Sequence, residues 1–128
     1  MDVLLDTQAF LWSIAADARL SQSARDCFLD PGNQLHLSIA SIWEIAVKLS
    51  LGKLAIAGSP DQVILAEIKK NGIVLLDIRF AHVMKVRTLP FHHRDPFDRL
   101  LVSSALAERL TIVSADRAFK RYGVPVLW

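Results

Sequence analysis

The chain has 128 residues, just over half of them apolar (52%), and a net charge of +2. That length fits one compact domain over residues 1–128, and the apolar share excludes an intrinsically disordered chain. The charge is too small to demand a polyanionic partner and does not oppose one.

Cys27 is the only thiol, so no internal disulfide can form and a reducing, cytoplasmic setting is expected. The start, Met1-Asp2-Val3-Leu4-Leu5-Asp6, has neither the basic residues nor the long apolar core of an export signal. Apolar runs such as Ile73–Leu76 fall far short of the ~20 residues that cross a membrane.

In chain order, Val3–Leu5, Leu35–Ser38, Ile73–Leu76, Thr111–Val113 and Val124–Leu127 are rich in Val, Ile and Leu and have strand length. Helical patterns lie between them. Thr7–Trp12 follows the first run. Ile42, Ile45, Ala46 and Leu49 make one helical stripe, and Phe97, Leu100, Leu101, Ser104 and Ala105 make another. Asn71-Gly72 and Tyr122-Gly123 are helix stops placed just before strands. Short, nearly all-apolar strands separated by helices predict a parallel sheet covered on both faces. Ligands in such sheets bind beyond the carboxyl ends of the strands.

Four acids stand at that end, and each has a plain structural reading. Asp6 and Asp116 follow strands and precede helical runs, as N-cap residues do. Glu44 is three residues after Ser41, a capping-box spacing, and four before Lys48, an ion-pair spacing. Asp95-Pro96 is the clearest helix start in the chain, and Asp95 is accounted for as its cap. Asp98 differs: it shares a helix face with Leu101, Val102 and Ala105, where a lone charge is costly.

Together the four converge if the strands are parallel neighbours. Crowded carboxylates raise one another's pKa unless a cation intervenes. Oxygen ligands without His or Cys suit Mg²⁺ or Mn²⁺. Such ions, alone or as a pair about 3.5–4 Å apart, activate water for phosphoryl displacement. Helix N-termini at the same edge favour a phosphate. Asp77 follows Ile73–Leu76 in an equivalent position and is given no catalytic role.

The segments Val3-Leu4-Leu5-Asp6-Thr7, Ser38–Ile45, His93–Leu101 and Val113-Ser114-Ala115-Asp116 together resemble PIN-domain ribonucleases, most closely the small VapC-type toxins of toxin–antitoxin pairs. The resemblance spans essentially the whole chain. It implies an α/β, PIN-like three-layer fold, with a central parallel sheet of about five short strands and helices on both faces. It also implies that Asp6, Glu44, Asp98 and Asp116 hold Mg²⁺ or Mn²⁺, with Ser114 and Thr7 as supporting hydroxyls. RNA as substrate, a cognate antitoxin and a homodimer follow from the same resemblance.

His92-His93 has no third His or Cys at ligand spacing, which argues against zinc and for loop residues beside a helix start. Arg94 and Arg99 are candidate RNA phosphate contacts, with solvated surface charge as their plain reading. Arg117, Lys120 and Arg121 form a basic run with the same two readings. Trp12 and Trp43 lie on helical faces and read as core rather than as base-stacking platforms, and Trp128 as packed or interfacial. Two other classes fit an acid cluster: a non-catalytic PIN-like module that binds RNA or protein, and a receiver-like domain with Asp77 as phosphoacceptor.

Overall fold

The structure, a computed structural model, describes residues 1–128. Five strands form one wholly parallel sheet: β1 (Asp2–Leu5), β2 (Gln34–Ser38), β3 (Val74–Leu76), β4 (Thr111–Val113) and β5 (Val126–Leu127), in the order β3-β2-β1-β4-β5. Connections leave β1 toward β2 on one side and return toward β4 on the other. The order therefore reverses between β1 and β4, where open parallel sheets leave a crevice at their carboxyl ends.

Six α-helices cover the sheet: α1 (Thr7–Ala15), α2 (Gln22–Leu29), α3 (Ile39–Ser50), α4 (Pro60–Lys70), α5 (Phe80–Lys85) and α6 (Pro96–Glu108). Alternation along β1 splits the core in two, because neighbouring strand residues face opposite sides. Val3 and Leu5 pack with Phe10, Ala24, Cys27 and Ile45 from α1, α2 and α3, while Leu4 packs with Leu101, Val102, Ala105 and Phe119. Phe10, Leu5 and Leu37 are fully buried. Burial of each such side chain contributes about 1.5–3 kcal/mol. No helix is long and apolar enough to cross a membrane.

The helix stops fall where expected. Gly72 and Gly123 have φ of 60° and 79°, a left-handed backbone that glycine adopts without a Cβ penalty. The last strand is shorter than Val124–Leu127: Val124 is buried in the core, but Pro125 has no N–H for a ladder, and pairing is confined to Val126 and Leu127.

Two expectations are corrected. Trp43 is not core; it is 61% exposed, with one edge against Phe97 at 5.0 Å between ring centroids. Arg99 is neither a solvated charge nor available to RNA. It is 6% exposed, and its guanidinium donates to the carbonyl oxygens of Pro90, Val86 and Leu89 at 2.8, 3.0 and 3.3 Å. The guanidinium fork matches three carbonyls of one looping segment, so it braces the chain that leads into α6. Arg94, five residues earlier, remains exposed.

Arg99→Leu should therefore lower unfolding stability by about 2–4 kcal/mol, since it removes charge-assisted hydrogen bonds to three carbonyls and leaves the buried one of Leu89 without its donor. Arg94→Leu should stay within about 0.5 kcal/mol of the wild type. Urea unfolding of the two variants tests the brace; equal stabilities would refute it.

Candidate active site

The backbone brings the four acids to the carboxyl edge by four local routes. β1 ends at Leu5, and the Asp6 N–H bonds the Val113 carbonyl at 3.1 Å, tying the first residue past β1 to the end of β4. Asp6 then caps α1, with Oδ1 accepting from the Ala9 N–H at 2.7 Å. Asp116 caps the 3₁₀ turn Arg117–Tyr122 in the same way, with Oδ1 accepting from the Ala118 N–H at 2.9 Å. Both acids thus fill the cap role read from the sequence. A carboxylate has a second oxygen, so capping does not exhaust either of them.

Glu44 departs from its plain reading. α3 starts at Ile39 with Ser38 as its cap, accepting from the Ala40 N–H at 3.0 Å, so Ser41 is inside the helix and no capping box forms there. Glu44 lies in the second turn, 8% exposed, and its carboxylate is 3.1 Å from the Lys48 ammonium. The i,i+4 pair exists, but around a buried acid rather than on a solvated face. Ser41 is spent differently: it accepts a hydrogen bond from the Thr7 hydroxyl at 2.9 Å, which fastens α1 to α3 beside the site.

Asp98 is in the first turn of α6, which Asp95 caps through the Phe97 N–H at 2.8 Å. The contact between Phe97 and Trp43 holds the α6 start against α3, which sets Asp98 opposite Glu44. Asp6, Thr7, Glu44, Lys48, Asp95 and Asp98 line one cleft of about 200 Å³ with no apolar wall. Asp116 stands beside it, close enough to raise the Asp6 pKa. Ser114, fully buried, accepts from the Asp116 N–H at 2.9 Å and hydrogen-bonds the Asp6 carboxylate. Asp77 is not among the cleft residues; it follows the edge strand β3.

Electrostatics at the cleft differ among the acids. Burial pushes the Asp6 carboxyl up to about 6, against the pull of Ser114 and the Ala9 N–H, and the charges of Asp116 and Glu44 add to the rise. Asp98 also reaches about 6, first through burial and then through Asp95, Glu44 and Asp6, with His93 opposing. For Asp116, partial burial acts upward, but the hydrogen bonds from His93 and Ala118 outweigh it and hold the carboxyl below its ordinary value.

Sequence reasoning did not foresee the role of His93. Its Nε2 lies 2.7 Å from Asp116 Oδ2, across 23 residues of chain, a separation at which no local pattern exists to read. Lys48 and Lys53 were also missed as a group. They line a groove of about 430 Å³ that adjoins the acid cleft and includes Glu44, Arg94 and Phe97. His92 stands apart, exposed and edge-on to Tyr122.

As they stand, no three of the carboxylates close on a common point at ligating distance. Like charges crowded in one cleft repel when only one lysine is near, so the arrangement suits an added cation. The donors are all oxygens, which fits a hard divalent ion.

Comparison with solved structures supports the same architecture. VapBC2 from Rickettsia felis, bound to a DNA fragment from its promoter, includes a chain that matches with a TM-score of 0.70 at 17% identity, covering 98% of this chain and 97% of that one. DNA-bound VapBC from Salmonella typhimurium matches equally well, at 0.70 and 16% identity over 98% and 96% of the two chains. VapBC-5 from Mycobacterium tuberculosis gives 0.59 at 17% identity, again over 98% and 96%. No curated protein matches the sequence. The PIN domain family model, however, matches residues 3–125, nearly the entire chain, and the protein belongs to the PIN domain family.

Proposed function

We propose that this protein is a Mg²⁺- or Mn²⁺-dependent endoribonuclease of the VapC type, acting as a homodimer and restrained by a cognate antitoxin. One observation carries the reading: Asp6, Glu44 and Asp98 line a single polar cleft, with Asp116 beside it, at the reversal point of a parallel sheet. Asp6, Glu44, Asp98 and Asp116 would hold the ion, which when bound lowers the pKa of its water and steadies charge on the phosphoryl group. Ser114 steadies the capping acids, while Thr7 fastens α1 to α3 beside them through Ser41.

The chain's own groups orient the substrate. Helices α1 and α6 present their N-termini at this edge, where peptide dipoles favour a phosphate. Lys48, Lys53 and Arg94 supply positive charge along the adjoining groove, the natural path for phosphates flanking the cut. In-line attack by water leaves a 3′-hydroxyl and a 5′-phosphate.

An antitoxin partner is supported by the structural neighbours, whose names are those of VapBC complexes. A second groove of about 460 Å³ agrees with it. Leu11, Trp12, Leu54, Ile56 and Val63 line it, and it shares Gln8 and Lys48 with the acid cleft. A bound segment could therefore reach the acids. Neither alternative class gains comparable support. Asp77 lies beyond β2 from the cleft, which disfavours a receiver-like phosphoacceptor. A binding-only module has no need of four acids, two of them held near pKa 6.

With partner-free protein and a pool of cellular RNA, cleavage should require Mg²⁺ or Mn²⁺ and stop with excess chelator. Asp98→Asn should lose on the order of a hundredfold or more of the rate, the scale of removing one charge-stabilising group. Unchanged cleavage by that variant would sink the site assignment. A 2′,3′-cyclic phosphate on the products would show instead that the ribose hydroxyl attacks.

Metal-free stability should also depend on pH in a defined direction. Folded Asp6 and Asp98 keep their protons up to about pH 6, whereas their unfolded values are near 3.8. Protons therefore favour the fold between these limits, and stability falls as pH rises from about 4 to about 6, then levels. Asp6→Asn keeps an N-cap and removes one repelling charge, so at pH 7 without metal it should melt on the order of a few degrees above the wild type. Mn²⁺ should raise the wild-type melting temperature and have little effect on the variant. Calorimetry across that pH range checks both.

A further inference from the structure

Outside the four acids, the most closely organised polar cluster lies behind Asp116. His93 comes from the loop before α6 and has a side chain only 9% exposed. Its ring is stacked on Phe119 at 4.7 Å and on Tyr122 at 5.5 Å, the latter nearly parallel at 15°. Nδ1 is 2.9 Å from the Tyr122 hydroxyl and Nε2 is 2.7 Å from Asp116 Oδ2.

The direction of these bonds follows from donor chemistry. An ionised carboxylate only accepts, so Nε2 must carry the hydrogen. That holds for a neutral and for a charged ring, so His93 Nε2–H donates to Asp116 Oδ2 in either state. Nδ1 pairs with the Tyr122 hydroxyl, which can both accept and donate. The other oxygen of Asp116 is already fixed by the Ala118 N–H at 2.9 Å. Each oxygen retains a free lone pair.

Asp116 needs such a hold. Its side chain is 46% exposed and sits on a short 3₁₀ turn, where a carboxylate with one restraint can rotate about its last torsion. Glu44 is buried and Asp6 is half-buried on the longer helix α1, so both need less. Groups that hydrogen-bond a metal's ligands set the orientation of those ligands.

We propose that His93, held by its stacking on Phe119 and Tyr122 and by the Tyr122 hydroxyl, is a positioning residue that orients the Asp116 carboxylate toward the divalent cation of the acid cleft. The role rests on the metal-nuclease reading above, but its first element, the hydrogen bond from Nε2 to Asp116, does not. Tyr122→Phe is the discriminating change, because it keeps the stacked ring and removes one O–H that touches neither Asp116 nor the cleft.

Two readouts test the proposal on the full chain. Long-range ¹H–¹⁵N correlation of ¹⁵N-histidine protein, without metal at neutral pH, should show a hydrogen on His93 Nε2 in the wild type. Titration calorimetry with MnCl₂ should show affinity falling severalfold in Tyr122→Phe and about 10–100-fold in His93→Ala. His93→Gln, which keeps an N–H donor, should recover part of the loss. Thermal unfolding confirms that each variant is folded, and Tyr122→Phe carries the test if His93→Ala is not.

A bare Nε2, as in the Nδ1–H tautomer, in the wild type would overturn the proposal. So would wild-type Mn²⁺ affinity in Tyr122→Phe and His93→Ala while the wild type binds Mn²⁺ normally. Failure of the wild type itself to bind Mn²⁺ would remove the metal reading, and this proposal with it.

Discussion

Carboxylates held together with too little positive charge among them are the constraint on which the rest of the site depends. Burial and mutual repulsion push Asp6 and Asp98 to about 6, and the single lysine at the cleft, Lys48, is paired with Glu44. Folding alone would not assemble such a group, because ionising it costs free energy that other contacts must offset. The scaffold tolerates it because the strands beneath are anchored elsewhere. β1 is central, fully buried at Val3, Leu4 and Leu5, and paired on both sides. Strain at the carboxyl edge is thus carried by the most secure strand.

The parallel sheet is what makes the convergence possible. Each strand contributes a turn at the same edge, so acids far apart in sequence arrive together without long loops. The Asp6 N–H to Val113 carbonyl bond sets the β1 and β4 ends level, and that register decides how near Asp116 stands to Asp6. The Phe97–Trp43 contact does the corresponding work for Asp98 and Glu44. Trp43 is exposed because its partner lies across the cleft rather than within the core, which explains why a helical-face argument misplaced it.

Much of the fold was legible in the residues. All five strand positions followed from short apolar runs, the last of them shorter than its run, and the stops at Gly72 and Gly123 from the need for a left-handed backbone. The acid residues were visible too, through their places after strands. What could not be read was long-range. His93 meets Asp116 across 23 residues, and Arg99 is buried by carbonyls of a segment with no regular pattern. The start of α3 was set three residues late because Ser41 matched a capping box. Ser38 caps instead, and Ser41 is drawn to Thr7 by packing between helices.

The same serine shows why local and functional readings of a polar residue need not compete. Asp6 and Asp116 were each fully explained as N-caps, and each is one. An N-cap aims a carboxylate along the start of its helix, and at the end of a parallel strand that direction is the crevice. In each case one oxygen, Oδ1, meets the helix N–H and the second is free of the cap. Capping therefore fixes where the charge points, and a helix that needs an acceptor becomes the device that holds a ligand still. Where capping leaves rotation free, as on the short turn after Asp116, a second donor takes over, and His93 occupies that position.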